Sequence, residues 1–319
     1  MSKLESKTGP FIGVDVASKH LDIAVHGSNG VKRVDNSAAA VKAWLDQLPL
    51  NSVIAVESTA RFHELLAHAA HERGMIVYLL NPRDVRHYAR STGMRGKTDW
   101  LDAQMLARLI AHEHQELRPW APQPAQQQAL DELLRRRATI VKHQQGVRLS
   151  VADSPEIKRL TKALMNEFEQ VLAAIDERIR QKVAQLGAGT QDFTHITSVP
   201  GIGLLTGAAL LGLFRRLATR SSDAVIAFLG MDLRPMDSGQ KTGVRRMTKR
   251  GPSEHRRLLF NAAMSASRTK VWQAHYAREC AKGLSRVAAL NALARRLVRV
   301  AFGLFKTKTS FNHQRVAIQ

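Results

Sequence analysis

The chain has 319 residues, with 48 Lys and Arg against 27 Asp and Glu for a formal net charge of +21 and a pI near 10.9. Its 44% hydrophobic content excludes wholesale disorder, and its length accommodates more than one domain. The single cysteine, Cys280, excludes an internal disulfide framework and a cysteine-based zinc site.

The charge is unevenly spread. Residues 1–120 carry 15 basic and 13 acidic side chains, whereas residues 121–319 carry 33 and 14. A near-neutral first third is thus joined to a strongly cationic remainder, and a polyanion, nucleic acid first, is the expected partner. Residues 1–10 are polar and lead straight into a strand pattern without a secretory signal, and the longest apolar run, residues 204–214, is too short to span a bilayer. The expectation is a cytoplasmic protein with no membrane partner.

Phe11-Ile-Gly-Val-Asp15-Val16 is an apolar run that ends on a carboxylate. Residues 21–25 alternate, a Gly27-Ser-Asn-Gly30 turn follows, and Val31 to Val34 completes the rhythm of a three-strand antiparallel meander. A helix-period stretch over 41–48 stops at Pro49. Residues 52–57 read as a buried strand that again finishes on an acid, Glu57. Residues 61–73 read as a helix ended by Gly74, and residues 75–80 as another buried strand. Three strands, helix, strand, helix, strand describes an α/β sheet whose first strands are antiparallel.

Two buried-type strands that each end in a carboxylate are costly to desolvate unless the acids are paired or hold a cation. Lys97-Thr98-Asp99-Trp100-Leu101-Asp102-Ala103 adds two more acids at i, i+3 spacing, on one face of a helix running to about Ala111 and capped by Thr98 or Asp99. Asp15, Glu57, Asp99 and Asp102 together point to a hard divalent cation, Mg2+ with Mn2+ as the alternative. Taken singly, each acid reads equally as a turn or cap residue.

Gly13-Val-Asp15-Val-Ala-Ser, the strand ending at Glu57, and Lys97-Thr-Asp99-Trp-Leu-Asp102-Ala together resemble the RuvC-like domain of the DEDD insertion-sequence transposases, insertion sequence family 110. The family pattern of an Asp, a Glu and an Asp-x-x-Asp pair falls on Asp15, Glu57, Asp99 and Asp102. The resemblance implies an RNase H/RuvC-like metal-binding fold over residues 1–120 and guidance by a structured noncoding bridge RNA.

A Pro119 to Pro124 break opens a helical stretch over 129–186, interrupted near 150–155. Leu160, Leu164, Phe168, Val171, Leu172, Ile175, Ile179, Val183 and Leu186 recur at spacings of three and four. One apolar stripe on a long helix suits a coiled coil, so residues 121–189 are expected to be a helical connector that supports a homodimer or tetramer.

Residues 190–305 read as a mainly α, DNA-binding domain, with a polar, frayed tail over 306–319. Pro200-Gly201-Ile202-Gly203 opens an apolar helix and resembles a helix-hairpin-helix module, whose glycines let backbone N–H groups approach a phosphate. Ser238-Gly239 lies in a polar loop bordered by Lys241, Arg245, Arg246, Lys249 and Arg250, and Arg256 and Arg257 follow on a helix. Such cations would neutralise a scissile phosphate. Ser238-Gly239, Thr248-Lys249-Arg250-Gly251 and Arg256-Arg257-Leu258-Leu259 resemble the carboxy-terminal domain of the same transposase family. The resemblance places its catalytic serine, which forms a phosphoserine–DNA intermediate, on Ser238. Arg245 and Met247 depart from it, standing where a smaller residue and Ile are expected. Trp272 and Tyr276, four apart on a helix, suit either base stacking or a core contact.

The sequence therefore reads as a metal-dependent DNA transposase or recombinase with the carboxylate site and Ser238 on separate domains, brought together in trans. Two alternatives remain at this level. One is a RuvC-like Holliday-junction nuclease without serine chemistry; the other is a non-catalytic nucleic-acid-binding protein.

Overall fold

The computed structural model describes residues 9–58, 61–93, 99–234 and 245–312, with Asp99 described in its backbone alone. The chain divides into two compact units, Met1–Gln123 and Pro124–Gln319.

The first unit is built on β1 (Phe11–Val16), β2 (His20–Val25), β3 (Val31–Asp35), α1 (Ala38–Leu45), β4 (Val53–Glu57), α2 (Glu64–Glu72), β5 (Ile76–Leu80), α3 (Pro82–Ser91) and α4 (Asp99–Glu113). The sheet order is β3-β2-β1-β4-β5. β1, β2 and β3 form the antiparallel meander, and β4 and β5 extend it in parallel with β1. Because side chains alternate along a strand, the sheet presents two apolar faces. Ile12, Val14, Val16, Ile54, Val56 and Val77 meet α1 and α2 on one side. Val53, Ala55, Tyr78 and Leu80 meet α3 and α4 on the other.

Local signals explain most boundaries. Ser37 caps α1 by accepting the Ala40 N–H, so this helix starts before the apolar stretch does and ends at Asp46, short of Pro49. Asn81 caps α3 with Pro82 in its first turn. The hydrophobic pattern does not announce α3, because it buries little beyond Val85.

The second unit is helical. It comprises α5 (Ala125–Ser150), α6 (Pro155–Leu160), α7 (Lys162–Ala184), α8 (Ala188–Thr197), α9 (Leu204–Arg216), α10 (Ser222–Phe228), α11 (Ser253–Ala266), α12 (Lys270–Ala281) and α13 (Arg286–Thr307). A two-strand ribbon, β6 (Leu233–Arg234) and β7 (Arg246–Met247), is inserted after α10. The expected interruption near 150–155 is the end of α5 and the start of α6.

Residues 121–189 do not stand apart as a third unit. α5 and α7 pack on each other as a hairpin, joined midway by the Arg137–Asp176 ion pair. At the root of the hairpin, Leu130, Leu134, Ile179, Val183 and Leu186 enter the same core as α9, α11 and α13. The apolar stripe is therefore partly used within the chain, while Leu160, Leu164 and Val171 remain exposed. Among the described residues no helix is long and apolar enough to cross a membrane.

Candidate functional site

The acids of the first unit are ordered by the sheet. β1 and β4 run in parallel with Phe11 opposite Val53 and Val14 opposite Val56, so one further step sets Asp15 beside Glu57 at the carboxyl ends of neighbouring strands. Both lie on the face that α4 covers. Gly13, two residues before Asp15, is a point of close contact between helix and sheet. A Cβ there would lie 2.1 Å from the Ala103 carbonyl oxygen and 2.2 Å from the Ala107 nitrogen. Phe11, at the amino end of β1, packs its ring 4.9 Å from that of His114, just past the end of α4. The helix therefore runs against β1, and its first turn, with Asp99 and Asp102, lies toward the end of the sheet that carries Asp15 and Glu57.

A fifth acid shares this face. Asp22 of β2 is directly opposite Asp15 in the antiparallel register and is only 4% exposed. Its carboxylate accepts two hydrogen bonds from Arg33, at 2.8 and 2.9 Å, with His20 Nε2 at 3.5 Å. Arg33 is in turn opposite Asp22 on β3. A charged row thus crosses four strands: Arg33, Asp22, Asp15, Glu57. Like charges directly opposite on neighbouring strands repel, and the two-point contact with Arg33 offsets the charge of Asp22. Sequence reading missed Asp22 because alternation alone suggests a solvated position.

Carboxylate oxygens are hard donors of the type a divalent cation prefers, so the chemistry of this set fits such an ion. Among the described residues no group of three His, Cys, Asp or Glu is placed to hold one. The Asp99 side chain is outside the described residues.

In the second unit, the Pro200–Gly203 turn joins α8 to α9. Its two glycines serve different ends. Gly201 has φ +98°, and a Cβ on it would lie 2.5 Å from the Ala266 Cβ, so this glycine permits close packing on α11. Gly203 is the N-cap of α9, with no side-chain cap and open space around it. Gly203 is exposed, Leu204 and Leu205 are half-buried and Thr206 is buried, so the start of α9 lies at the surface without a side-chain cap on its backbone donors.

The β6–β7 ribbon frames residues 235–244. Ser238 and Lys241 fall in this stretch and lie outside the described residues. The root of the ribbon is closely fastened. The Lys249 N–H donates to Gly230 O at 2.9 Å, the Thr248 N–H to Asp232 O at 3.0 Å, and the Thr248 hydroxyl to the Asp232 carboxylate. A Cβ at Gly251 would lie 2.3 Å from Phe228 O. Lys249 has φ +54°, a left-handed conformation unusual for a lysine. Arg245, Arg246, Lys249 and Arg250 are exposed around this root.

These features meet two family models. Residues 12–152 match a model described as "Transposase", of the DEDD IS110 group. Residues 194–278 match "Transposase IS116/IS110/IS902 family". The chain belongs to this transposase family. It is similar to the pilin gene-inverting proteins of Moraxella bovis and Moraxella lacunata, at 24% identity over 96% of this chain and 98% of each relative. It is also 30% identical, over 49% of its length, to an uncharacterized 44.8 kDa protein of insertion element IS116 from Streptomyces clavuligerus, covering 40% of that protein. It is an enzyme that processes DNA.

The structure bears on three further readings of the sequence. Arg256 has a structural role: one guanidinium nitrogen, Nη1, donates to Leu229 O at 3.0 Å and to Gly251 O at 2.7 Å, tying the two ends of the ribbon excursion together. Of the two roles open to Trp272, the structure shows the core contact. The residue is fully buried and its indole N–H donates to Pro200 O at 3.0 Å. The stretch after Lys306 is not frayed throughout, since α13 continues to Thr307 and Phe311 packs on the core. Arg257 keeps a two-point ion pair with Glu254, which holds its guanidinium charged. Met247, one of the two departures from the expected pattern, packs against the large core.

Proposed function

We propose that this transposase breaks and rejoins DNA at a serine, using the RuvC-like carboxylate site of its first unit. Asp15, Glu57, Asp99 and Asp102 would hold a divalent ion, Mg2+ first and Mn2+ as its substitute. The observation that carries this reading is the in-register placement of Asp15 beside Glu57, with the first turn of α4 at the same end of the sheet. A bound divalent ion supplies charge stabilisation to a phosphate and its leaving oxygen.

The Ser238 hydroxyl attacks a phosphodiester. A bond forms between Oγ and phosphorus, the bond to one sugar oxygen breaks, and the serine proton ends on the released hydroxyl. A second strand's hydroxyl reverses the step on the phosphoserine and restores Ser238. The exposed Arg245, Arg246, Lys249 and Arg250 neutralise the phosphate charge, and the start of α9, which has no side-chain cap, takes duplex phosphate on its N–H groups. By its resemblance to the bridge-RNA-guided family, the enzyme chooses its sites with a structured noncoding RNA. The names of the Moraxella relatives extend the reading to inversion of a DNA segment. The exposed Leu160, Leu164 and Val171 support self-association as a dimer or tetramer. All of this belongs in the cytoplasm, beside the DNA.

The test is a denaturing gel that detects a covalent protein–DNA adduct. The adduct is expected to require both the divalent ion and Ser238, and to vanish in Ser238→Ala. If Ser238→Ala still cuts DNA in the presence of the ion, the enzyme is a nuclease and the serine chemistry is wrong.

A further inference from the structure

The short segment after α13 makes more specific contacts than a polar end requires. Lys308 terminates α13 in a left-handed conformation, φ +54°, which strains a residue with a Cβ. That turn sends the chain back along α8, and each of the next residues has a fixed neighbour. Lys308 Nζ bonds the Asp192 carboxylate at 2.5 Å. The Ser310 hydroxyl sits 3.3 Å from His195 Nδ1. The Phe311 N–H donates to Ser198 Oγ at 2.8 Å. Asp192, His195 and Ser198 are three apart in sequence, so the segment follows one edge of α8 toward its end.

The end of α8 leads directly into Pro200–Gly203. Phe311 also meets Trp272, with ring centroids 5.8 Å apart, and Trp272 donates its indole hydrogen to the Pro200 carbonyl. The segment therefore reaches the turn by two routes, one through Ser198 and one through Trp272. Asp192 is itself buried and already has Arg215 at 3.6 Å, so the second cation on it serves to hold Lys308 rather than to neutralise an otherwise lone charge. A glycine would turn the chain at position 308 without strain, but it could not make this ion pair.

We propose that residues 308–311 form a strap that positions the Pro200–Gly203 turn, so that the first N–H groups of α9 are preorganised for a duplex phosphate. Lys308, Ser310 and Phe311 are positioning residues and act through α8 and Trp272. This rests on the reading of that turn as a DNA contact. Preorganisation raises affinity by removing an ordering cost before binding, so loosening the strap weakens binding without removing any group that touches DNA.

The experiment uses the full chain, Phe311→Ala, Lys308→Gly and a chain ending at Thr307, with a fluorescein-labelled DNA duplex. Binding is read by anisotropy, and amide hydrogen exchange is read at Leu204, Leu205 and Thr206 with and without the duplex. In the wild type, DNA is expected to slow exchange at these amides. In Phe311→Ala, affinity is expected to fall roughly ten-fold and this protection to be lost. Exchange at Leu210 to Leu213 in the free protein stays as in the wild type, which separates this loss from unfolding. Lys308→Gly relieves the backbone strain yet is expected to weaken binding in the same direction. Should the truncated chain unfold, the two point variants still decide the matter. If they bind and protect as the wild type does, the strap only stabilises the fold and the proposal is overturned. If the wild type itself shows no protection at these amides, the DNA reading of the turn fails, and the role of the strap falls with it.

Discussion

Gly13 sets the distance between the carboxylate-bearing strand and the carboxylate-bearing helix, and Gly13→Ala tests that arrangement. The added Cβ would lie 2.1 Å from Ala103 O, 2.2 Å from Ala107 N and 2.8 Å from Leu106 Cβ. The first two are backbone atoms, so no side-chain rotation relieves the clash. Ordinary contact begins near 3.4 Å, so α4 must retreat by more than an ångström. Overpacking of this kind costs about 1–3 kcal/mol, and the upper end is expected because a whole helix has to move. Asp102 sits one residue before Ala103 and moves with the helix. An ångström of misplacement at reacting groups is worth on the order of 100-fold in rate, so recombination activity should fall by about that much. Urea unfolding of the full chain measures the first effect and a DNA recombination assay the second. Gly303→Ala is the control. Gly303 lies in α13 with open space around it, so alanine there should stabilise the protein by about 0.5–1 kcal/mol. A Gly13→Ala protein with wild-type midpoint and activity would show that α4 is not set by this contact, and the placement argument would fail.

Two further predictions separate structural from DNA-binding roles and fix a sign. Arg256→Met removes the donors to Leu229 O and Gly251 O and should lower stability by about 1–3 kcal/mol. If the two carbonyls are the whole role of Arg256, the salt dependence of duplex binding stays as in the wild type; a shallower salt slope would instead place it on DNA. His255 is held neutral in the fold chiefly by burial, helped by the nearby Arg216 charge and opposed by the Ala209 hydrogen bond and by Glu254. The unfolded chain, with an ordinary histidine near pH 6.5, binds that proton more readily, so stability should decline as pH drops below about 6.5. His255→Gln should flatten that decline in urea midpoints taken between neutral and mildly acidic pH; an unchanged slope would mean that His255 is not its source.

Much of the first unit is legible in the chain alone. Alternation, buried runs and the stops at Gly74 and Asn81-Pro82 delimit its strands, because strand period and turn conformation are governed by near neighbours. The acids Asp15 and Glu57 are visible as strand ends for the same reason. Asp22 is not. Its alternation marks the side of the sheet on which it sits, but whether that side meets water or a helix depends on α4, almost eighty residues away. The second unit shows the same division. Helix periodicity reveals α7 and its stripe, yet only packing decides that Ile179 and Val183 turn into the chain's own core while Leu164 and Val171 stay outside.

Composition and periodicity by themselves determined that this is a cationic protein with an acid-tipped sheet and a helical remainder, while packing merged the expected connector with the last helices into one unit. Tertiary structure alone decided that Arg256 holds the backbone carbonyls of Leu229 and Gly251, that Trp272 is a core residue holding the Pro200 carbonyl, and that Phe311 returns to the fold. A guanidinium or an indole carries the same local propensity in either role. What separates the roles is whether distant segments bring carbonyls and rings within reach, and that depends on how the helices pack rather than on the order of residues along them.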